Sequence, residues 1–433
     1  MKNIAFITAS ILILMAAFLL APQYQVAHRA DYEHYLNATP LQKKQKALSS
    51  RIAFWEEKLK TAPGNFVFQK KLASLYSANF KLSGEAAWLH RSDSLLQRVN
   101  QRIPGQVGTL QSLAANAISR HGFREAESYI RRAMDIGQNK FTSSLVLADV
   151  ALERGQLLET KLLLRDIASD SHFDYLIREA KLHDQSGDLD EAVRTMEKAT
   201  ALAKASGSPP IINWSLSNLA DMYGHQGRVR KSYETYLEAL HYNPADFHAL
   251  KGIAWIAYSN DKNAEEAKNI LHFLQSVRPV PEYNLLLAEI ADYEKDSIAG
   301  EKYKQRFIRE ASRKTYGNMY KSYLCKMKSE GGYPSEAMKI AREEVRERPH
   351  PMSYNLLAWA AFRSGKPTEA LNILEAHVIG RTAEPDALFH SGIILKENGK
   401  KQAARKMLNA ALEASFELGP VVTAEIEGQL KQL

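Results

Sequence analysis

Along most of the chain, apolar residues recur at helical spacing and are broken at regular intervals by a glycine. Between Pro351 and Arg381, Tyr354, Leu357, Ala358 and Ala361 share one helical face, and after Gly365 a second face carries Ala370, Ile373, Leu374 and His377. Such spacing marks an amphipathic helix buried on one side. A glycine between two such stretches supplies the left-handed residue at which a chain can leave one helix and reverse. The pattern predicts two antiparallel helices joined by a tight turn.

This unit recurs. GGYPSEAMKIA from Gly331, SGKPTEALNIL from Ser364 and NGKKQAARKML from Asn398 each hold a glycine (Gly332, Gly365, Gly399) and, five residues later, an alanine (Ala337, Ala370, Ala404), at intervals of 33 and then 34. A fixed period of this length belongs to a supersecondary unit that buries its apolar face on copies of itself. Cys325, Ala358 and Gly392 occupy one slot of successive first helices, where only small side chains allow two helices to cross closely. Extending the second-helix slot upstream gives the ladder Ala126, Thr160, Ala192, Ser232, Ala267, Ala299, Ala337, Ala370 and Ala404. The widest interval, before Ser232, contains Ala205-Ser-Gly-Ser-Pro-Pro210, which predicts a loop and a hinge at 205–210. No glycine stands at the expected distance before Ala267 or Ala299.

Gly187-Asp-Leu-Asp-Glu-Ala192-Val with Met196 and Ala199, and Gly227 with Tyr236, Ala239, Leu240 and Pro244, give the pattern its fullest form, which resembles the tetratricopeptide repeat. The family's first helix often begins with Trp, where Leu388, Tyr354 or Leu176 stand in this chain. The resemblance implies an all-α solenoid, a right-handed superhelix of about nine to ten helix-turn-helix units over 66–415. A helix at 416–433, with Val422, Ile426 and Leu430 on one face, is expected to cap its end. Before the repeats, 23–65 reads as a polar spacer followed by a capping helix with Ile52, Trp55 and Leu59 on one face.

Residues 1–22 carry the longest apolar run, from Ile4 to Ala21, in which only Thr8 and Ser10 are polar. Eighteen helical residues span roughly 27 Å, close to the hydrocarbon thickness of a bilayer. A signal peptide or an N-terminal membrane anchor is expected, with the repeats outside the cytoplasm; cleavage would leave them periplasmic or secreted. Pro22 directly after Ala21 favours retention as an anchor. The basic run Lys43, Lys44 and Lys46 reads as a solvated helix face rather than a headgroup patch.

Lys and Arg exceed Asp and Glu by 57 to 49, a net charge of +8. That bias is too mild and too scattered for a nucleic-acid partner. A single cysteine, Cys325, excludes intrachain disulfides and paired-cysteine metal or redox sites, and its small slot predicts a buried, inert thiol. The thirteen histidines form no HExxH, and the chain has no GxSxG, GxxxxGK[ST] or GxGxxG. No catalytic, metal or cofactor residues are assigned, and the chain reads as a non-enzyme.

What remains is the inner surface. The resemblance implies a non-catalytic scaffold or adaptor whose first helices line a concave groove for a segment of a partner protein. Carried onto this sequence, the groove positions of the last three units are Met319, Ser322, Tyr323 and Lys326; Met352, Asn355, Trp359 and Phe362; and Asp386, Phe389, His390 and Lys396. Each aromatic among them has a competing use in packing between neighbouring helices. A permanent accessory subunit of a cell-envelope enzyme or of a transport or assembly complex is the alternative reading.

Overall fold

A computed structural model describes residues 25–433, so the apolar run at 4–21 lies outside them. Among the described residues no helix is long and apolar enough to cross a membrane. Within the described residues, a helix at Thr39–Thr61 is followed by ten helix pairs, units 1 to 10. Units 1 to 4 are Phe66–Ser83/Ala86–Arg102, Val107–Ser119/Phe123–Ile136, Lys140–Glu153/Leu157–Asp166 and Phe173–Gln185/Leu189–Ser206. Units 5 to 7 are Pro209–His225/Val229–Tyr242, Phe247–Trp255/Ala264–Val277 and Tyr283–Tyr293/Ser297–Ala311. Units 8 to 10 are Lys321–Glu330/Pro334–Glu347, Pro351–Arg363/Pro367–His377 and Pro385–Glu397/Lys401–Glu413. The chain ends in the helical segment Ser415–Lys431.

Every turn inside units 2 to 10 places one residue in the left-handed region five positions before a buried small residue. Glycine takes that place at 155, 187, 227, 332, 365 and 399, but His121, Lys262 and Lys295 take it in units 2, 6 and 7, with φ of 56°, 56° and 62°. Those three copies lack the glycine signal because the backbone repeats where the residue type does not. The small slot follows the backbone: Ala126, Thr160, Ala192, Ser232, Ala267, Ala337, Ala370 and Ala404 are all fully or nearly fully buried. In unit 7 the ladder position is Gly300 and not Ala299, because Lys295 sets the count. A Cβ on Gly300 would lie 2.7 Å from Asp292 Oδ1. An L-residue in the left-handed region is strained by about 1 kcal/mol. Lys295→Gly, at an exposed turn, is therefore expected to raise stability by about 1 kcal/mol in urea denaturation.

The segment 205–210 is not a long loop. The second helix of unit 4 runs through Ser206, Gly207 turns the chain at φ 65°, and Pro209 already begins unit 5. The additional residues of that interval are helical, since Pro at a first helical position gives up only an amide with no partner there.

Units do not touch their neighbours alone. The turn of unit 2 meets unit 8, where Asn318 Nδ2 donates to the His121 carbonyl at 3.2 Å, 197 residues away. The first helix of unit 3 meets the link into unit 9, where Arg348 Nη1 reaches Glu153 Oε2 at 3.0 Å across 195 residues. Gly155 packs on the same link, where an added Cβ would be 3.1 Å from His350 Cα. Gly187 faces Ala383, and Gly224 faces the Phe416 ring. One superhelical turn thus takes about six units of roughly 34 residues, and the second turn seats on the first. Repeat arrays ordinarily transmit contacts only between adjacent copies; this one is locked from turn to turn.

Residues 26–35, read from sequence as spacer, are docked on units 5 and 6. Both oxygens of Asp261 accept backbone amides, from Val26 at 2.9 Å and Ala27 at 2.8 Å. Tyr32 is fully buried and donates its hydroxyl to Glu266 at 2.7 Å. The segment is polar in composition, yet its polar groups are matched here by specific partners. The following helix, Thr39–Thr61, buries Leu41 and Ile52 and starts well before the Ile52, Trp55 and Leu59 face read from the sequence.

Candidate functional site

In unit 6 the first helix does not end at Trp255 but continues as a π-turn, Ile256–Asn260. The Trp255 indole N–H and the Ser259 hydroxyl both donate to the Phe416 carbonyl, at 3.0 and 2.6 Å. That carbonyl lies at the start of the terminal segment, which kinks at Gly419 (φ 75°, ψ 168°) before Pro420. Glycine is required at the kink by its conformation and by space, since a Cβ would be 3.0 Å from the Trp255 ring. Phe416 and Glu417 are thereby held against the inner wall of units 5 to 8. They close one side of a cavity of about 480 Å³, whose walls include Trp255, Leu285, Leu286, Glu289 and Tyr323.

Its charged groups are organised as pairs. Asp221 accepts from the Tyr236 hydroxyl on one oxygen and lies 2.6 Å from His248 Nε2 on the other. Burial works against a charged imidazole at His248, but the Asp221 contact outweighs it and holds its pKa above the ordinary value. Glu282 lies 3.8 Å from Lys251, and Glu417 3.8 Å from His225. Glu289 receives a 3.2 Å hydrogen bond from the Tyr258 hydroxyl. Burial pushes its carboxyl up to about 7.

An Asp–His pair invites comparison with hydrolytic sites, but a nucleophile is needed within hydrogen-bond reach of the imidazole. The serine on this wall, Ser232, instead donates to the Ala220 carbonyl at 2.7 Å. Among the described residues no group of three His, Cys, Asp or Glu is placed to hold a metal ion. The arrangement is suited to binding.

The structure separates the groove residues expected from the sequence into two sets. Asn355, Trp359, Phe389 and His390 are buried, at 1–5% exposure. Trp359 stacks on His390 at 4.1 Å and on Phe362 at 5.3 Å, while Asn355 hydrogen-bonds His390 Nδ1. Burial lowers the His390 pKa to about 3 and keeps the ring neutral. These rings pack first helices together, so the packing use prevails at these positions. Lys396 is engaged by Gln429 and Gln432 of the terminal helix, at 2.6 and 2.7 Å. Met319 and Met352 are half-buried, the first packed against the apolar cluster that includes Phe307 and Tyr320, the second against the one that includes Trp359 and Phe389. Ser322 is half-buried. Tyr323, by contrast, faces open space, 49% exposed and bordering the cavity, while Lys326 is half-buried and pairs with Asp386 at 3.2 Å. Cys325 is fully buried, donates to the Ala337 carbonyl, and has its thiol pushed up to about 12 by burial, as its slot predicts.

The groove positions expected from the sequence lie in the last three units, whereas the cavity is walled mainly by units 5 to 7. One local signal was present in unit 6: Gly252 stands inside a helix, where glycine marks the close approach of a neighbour, and that neighbour is the Tyr236 ring on the cavity wall. The role of Phe416 and Glu417 had no local signal, because it arises from a return of the chain across the 161 residues between Trp255 and Phe416.

The fold defined by these pairs is an α-solenoid wound into a self-contacting superhelix. Models of the tetratricopeptide repeat match residues 173–206 and 355–420. Those two stretches of the chain are tetratricopeptide repeats. Similar solved structures include the human IFIT1 dimer with PPP-AAAA, at 15% identity over 77% of each chain with a TM-score of 0.47. Yeast Tom70 is similar at 12% identity over 94% of this chain and 97% of that one, TM-score 0.36. A tetratricopeptide repeat protein from Parabacteroides merdae is similar at 20% identity over 61% of this chain and 98% of that one, TM-score 0.34. No curated protein matches the sequence.

Proposed function

We propose that the protein is a non-catalytic scaffold that receives a segment of a partner protein along the inner wall of its superhelix. The observation that carries this reading is the cavity of about 480 Å³ on that wall, bordered by the exposed ring of Tyr323 and closed by Phe416. Aromatic anchors in a preformed concave site are where protein recognition concentrates its energy. The turn-to-turn contacts favour a rigid receptor, which loses little entropy on binding. Export, with the repeats held outside the cytoplasm by the apolar run at 4–21, belongs to the same proposal.

A photo-crosslinking amino acid placed at Tyr323, and separately at the exposed Leu158, tests the reading in cells of the native source. One defined protein is expected to crosslink from position 323 and not from 158. Equal yields from both positions, or no adduct from 323, would sink it.

A further inference from the structure

Charge is distributed unevenly between the molecule and its inner wall. The chain as a whole carries +8, yet the cavity is lined by four carboxylates, Asp221, Glu282, Glu289 and Glu417. Three of them have a basic partner on the wall: His248 for Asp221, Lys251 for Glu282 and His225 for Glu417. Among the described residues Glu289 has none within ion-pair distance. Lys326, whose charge reaches it, is committed to Asp386 at 3.2 Å. The Tyr258 hydroxyl satisfies Oε1 alone. A carboxylate with one neutral donor in a half-enclosed site is short of a counter-ion.

We propose that this cavity binds one arginine side chain of the partner segment, with the Glu289 carboxylate as its counter-ion and Trp255, Tyr323 and Phe416 around its stem. The proposal rests on the reading of the inner wall as a docking groove and specifies what that groove recognises. Arginine fits on three grounds. Its planar fork donates to a carboxylate whose remaining lone pairs are unused, and its weak hydration lowers the cost of entering an aromatic site. Its stem and guanidinium both gain from aromatic and aliphatic walls such as Trp255 and Leu286. The volume lies in the range of roughly 300–1,000 Å³ typical of small-ligand sites and leaves room for the backbone that would present the side chain. The groups that act on Glu289 are Lys326, the largest charge and already paired with Asp386, then Tyr258, Asp386 and Asp292. Its carboxyl, held up to about 7 while the site is empty, is expected to release a proton as the guanidinium binds.

The test uses the full chain and N-acetyl-arginine amide, with the neutral N-acetyl-citrulline amide as the matched probe. Binding is read from the indole N–H resonance of Trp255, assigned with Trp255→Phe. The arginine probe is expected to shift that resonance saturably, at least about tenfold more tightly than citrulline. Glu289→Gln, which keeps an acceptor for Tyr258, is expected to abolish the difference and also the proton release near neutral pH. Equal binding of both probes, an unchanged preference in Glu289→Gln, or no saturable shift with either probe would overturn the proposal. Crosslinking of the partner from position 323 in the Glu289→Gln background separates the two readings. Retained crosslinking with no arginine preference leaves the scaffold standing and removes the arginine site.

Discussion

Gly252→Ala is expected to destabilise the protein by about 3 kcal/mol, although alanine is the better helix former by about 1 kcal/mol. Gly252 lies inside the first helix of unit 6, and a Cβ there would come within 2.6 Å of the Tyr236 hydroxyl oxygen and closer still to its ring. Tyr236 is 5% exposed and its hydroxyl is bonded to Asp221, so the ring cannot retreat without breaking that bond. Overpacking costs roughly 1–3 kcal/mol, and a hydrogen bond to a charged group contributes about 1.5–3 kcal/mol. Steric exclusion therefore wins over propensity. Gly428, in the terminal helix, has nothing within 4 Å of its added Cβ. Gly428→Ala is expected to gain about 0.5–1 kcal/mol. Urea denaturation of both variants checks the contrast: two shifts of the same sign would show that the Tyr236 contact does not control this site.

The second large effect depends on pH. His350 caps unit 9, its Nδ1 accepting the Met352 amide at 3.1 Å, and it sits on Gly155 where the two superhelical turns meet. Burial, together with the charge of Arg348, lowers its pKa to about 4. In the unfolded chain an imidazole titrates near roughly 6.5, so between those values the unfolded state binds more protons. Stability is intact above about pH 6.5 and falls as the pH drops towards 4, by about 1.4 kcal/mol per unit at most. Asparagine retains a capping oxygen and cannot titrate. His350→Asn is expected to match the wild type at about pH 8 and to exceed it by about 2 kcal/mol at about pH 4.5. His390, lowered in the same direction, contributes equally to both proteins and drops out of the comparison. Parallel stability profiles across that range would show that His350 is not the group responsible.

Legibility of the fold followed the backbone rule. Where glycine occupies the left-handed turn position, as at Gly332, Gly365 and Gly399, the period could be read directly. At Lys262 and Lys295 the same conformation is enforced by the helices on either side, and the sequence carried no mark of it. In the candidate site, Tyr323 was readable from its helical slot. Trp359, Phe389 and His390 were readable as apolar or aromatic positions on first helices, but the pattern does not distinguish a ring that lines a groove from one that stacks on the next unit.

The sequence by itself determined the repeating helix pair, the small slots at which helices cross and the buried thiol of Cys325, because each depends on contacts within about 34 residues. Only the tertiary structure decided where the cavity is closed and which residues line it. Those outcomes depend on pairs such as Arg348–Glu153 and Trp255–Phe416, 195 and 161 residues apart. They are set by the summed rotation of successive units, a small angle per repeat that no single unit encodes.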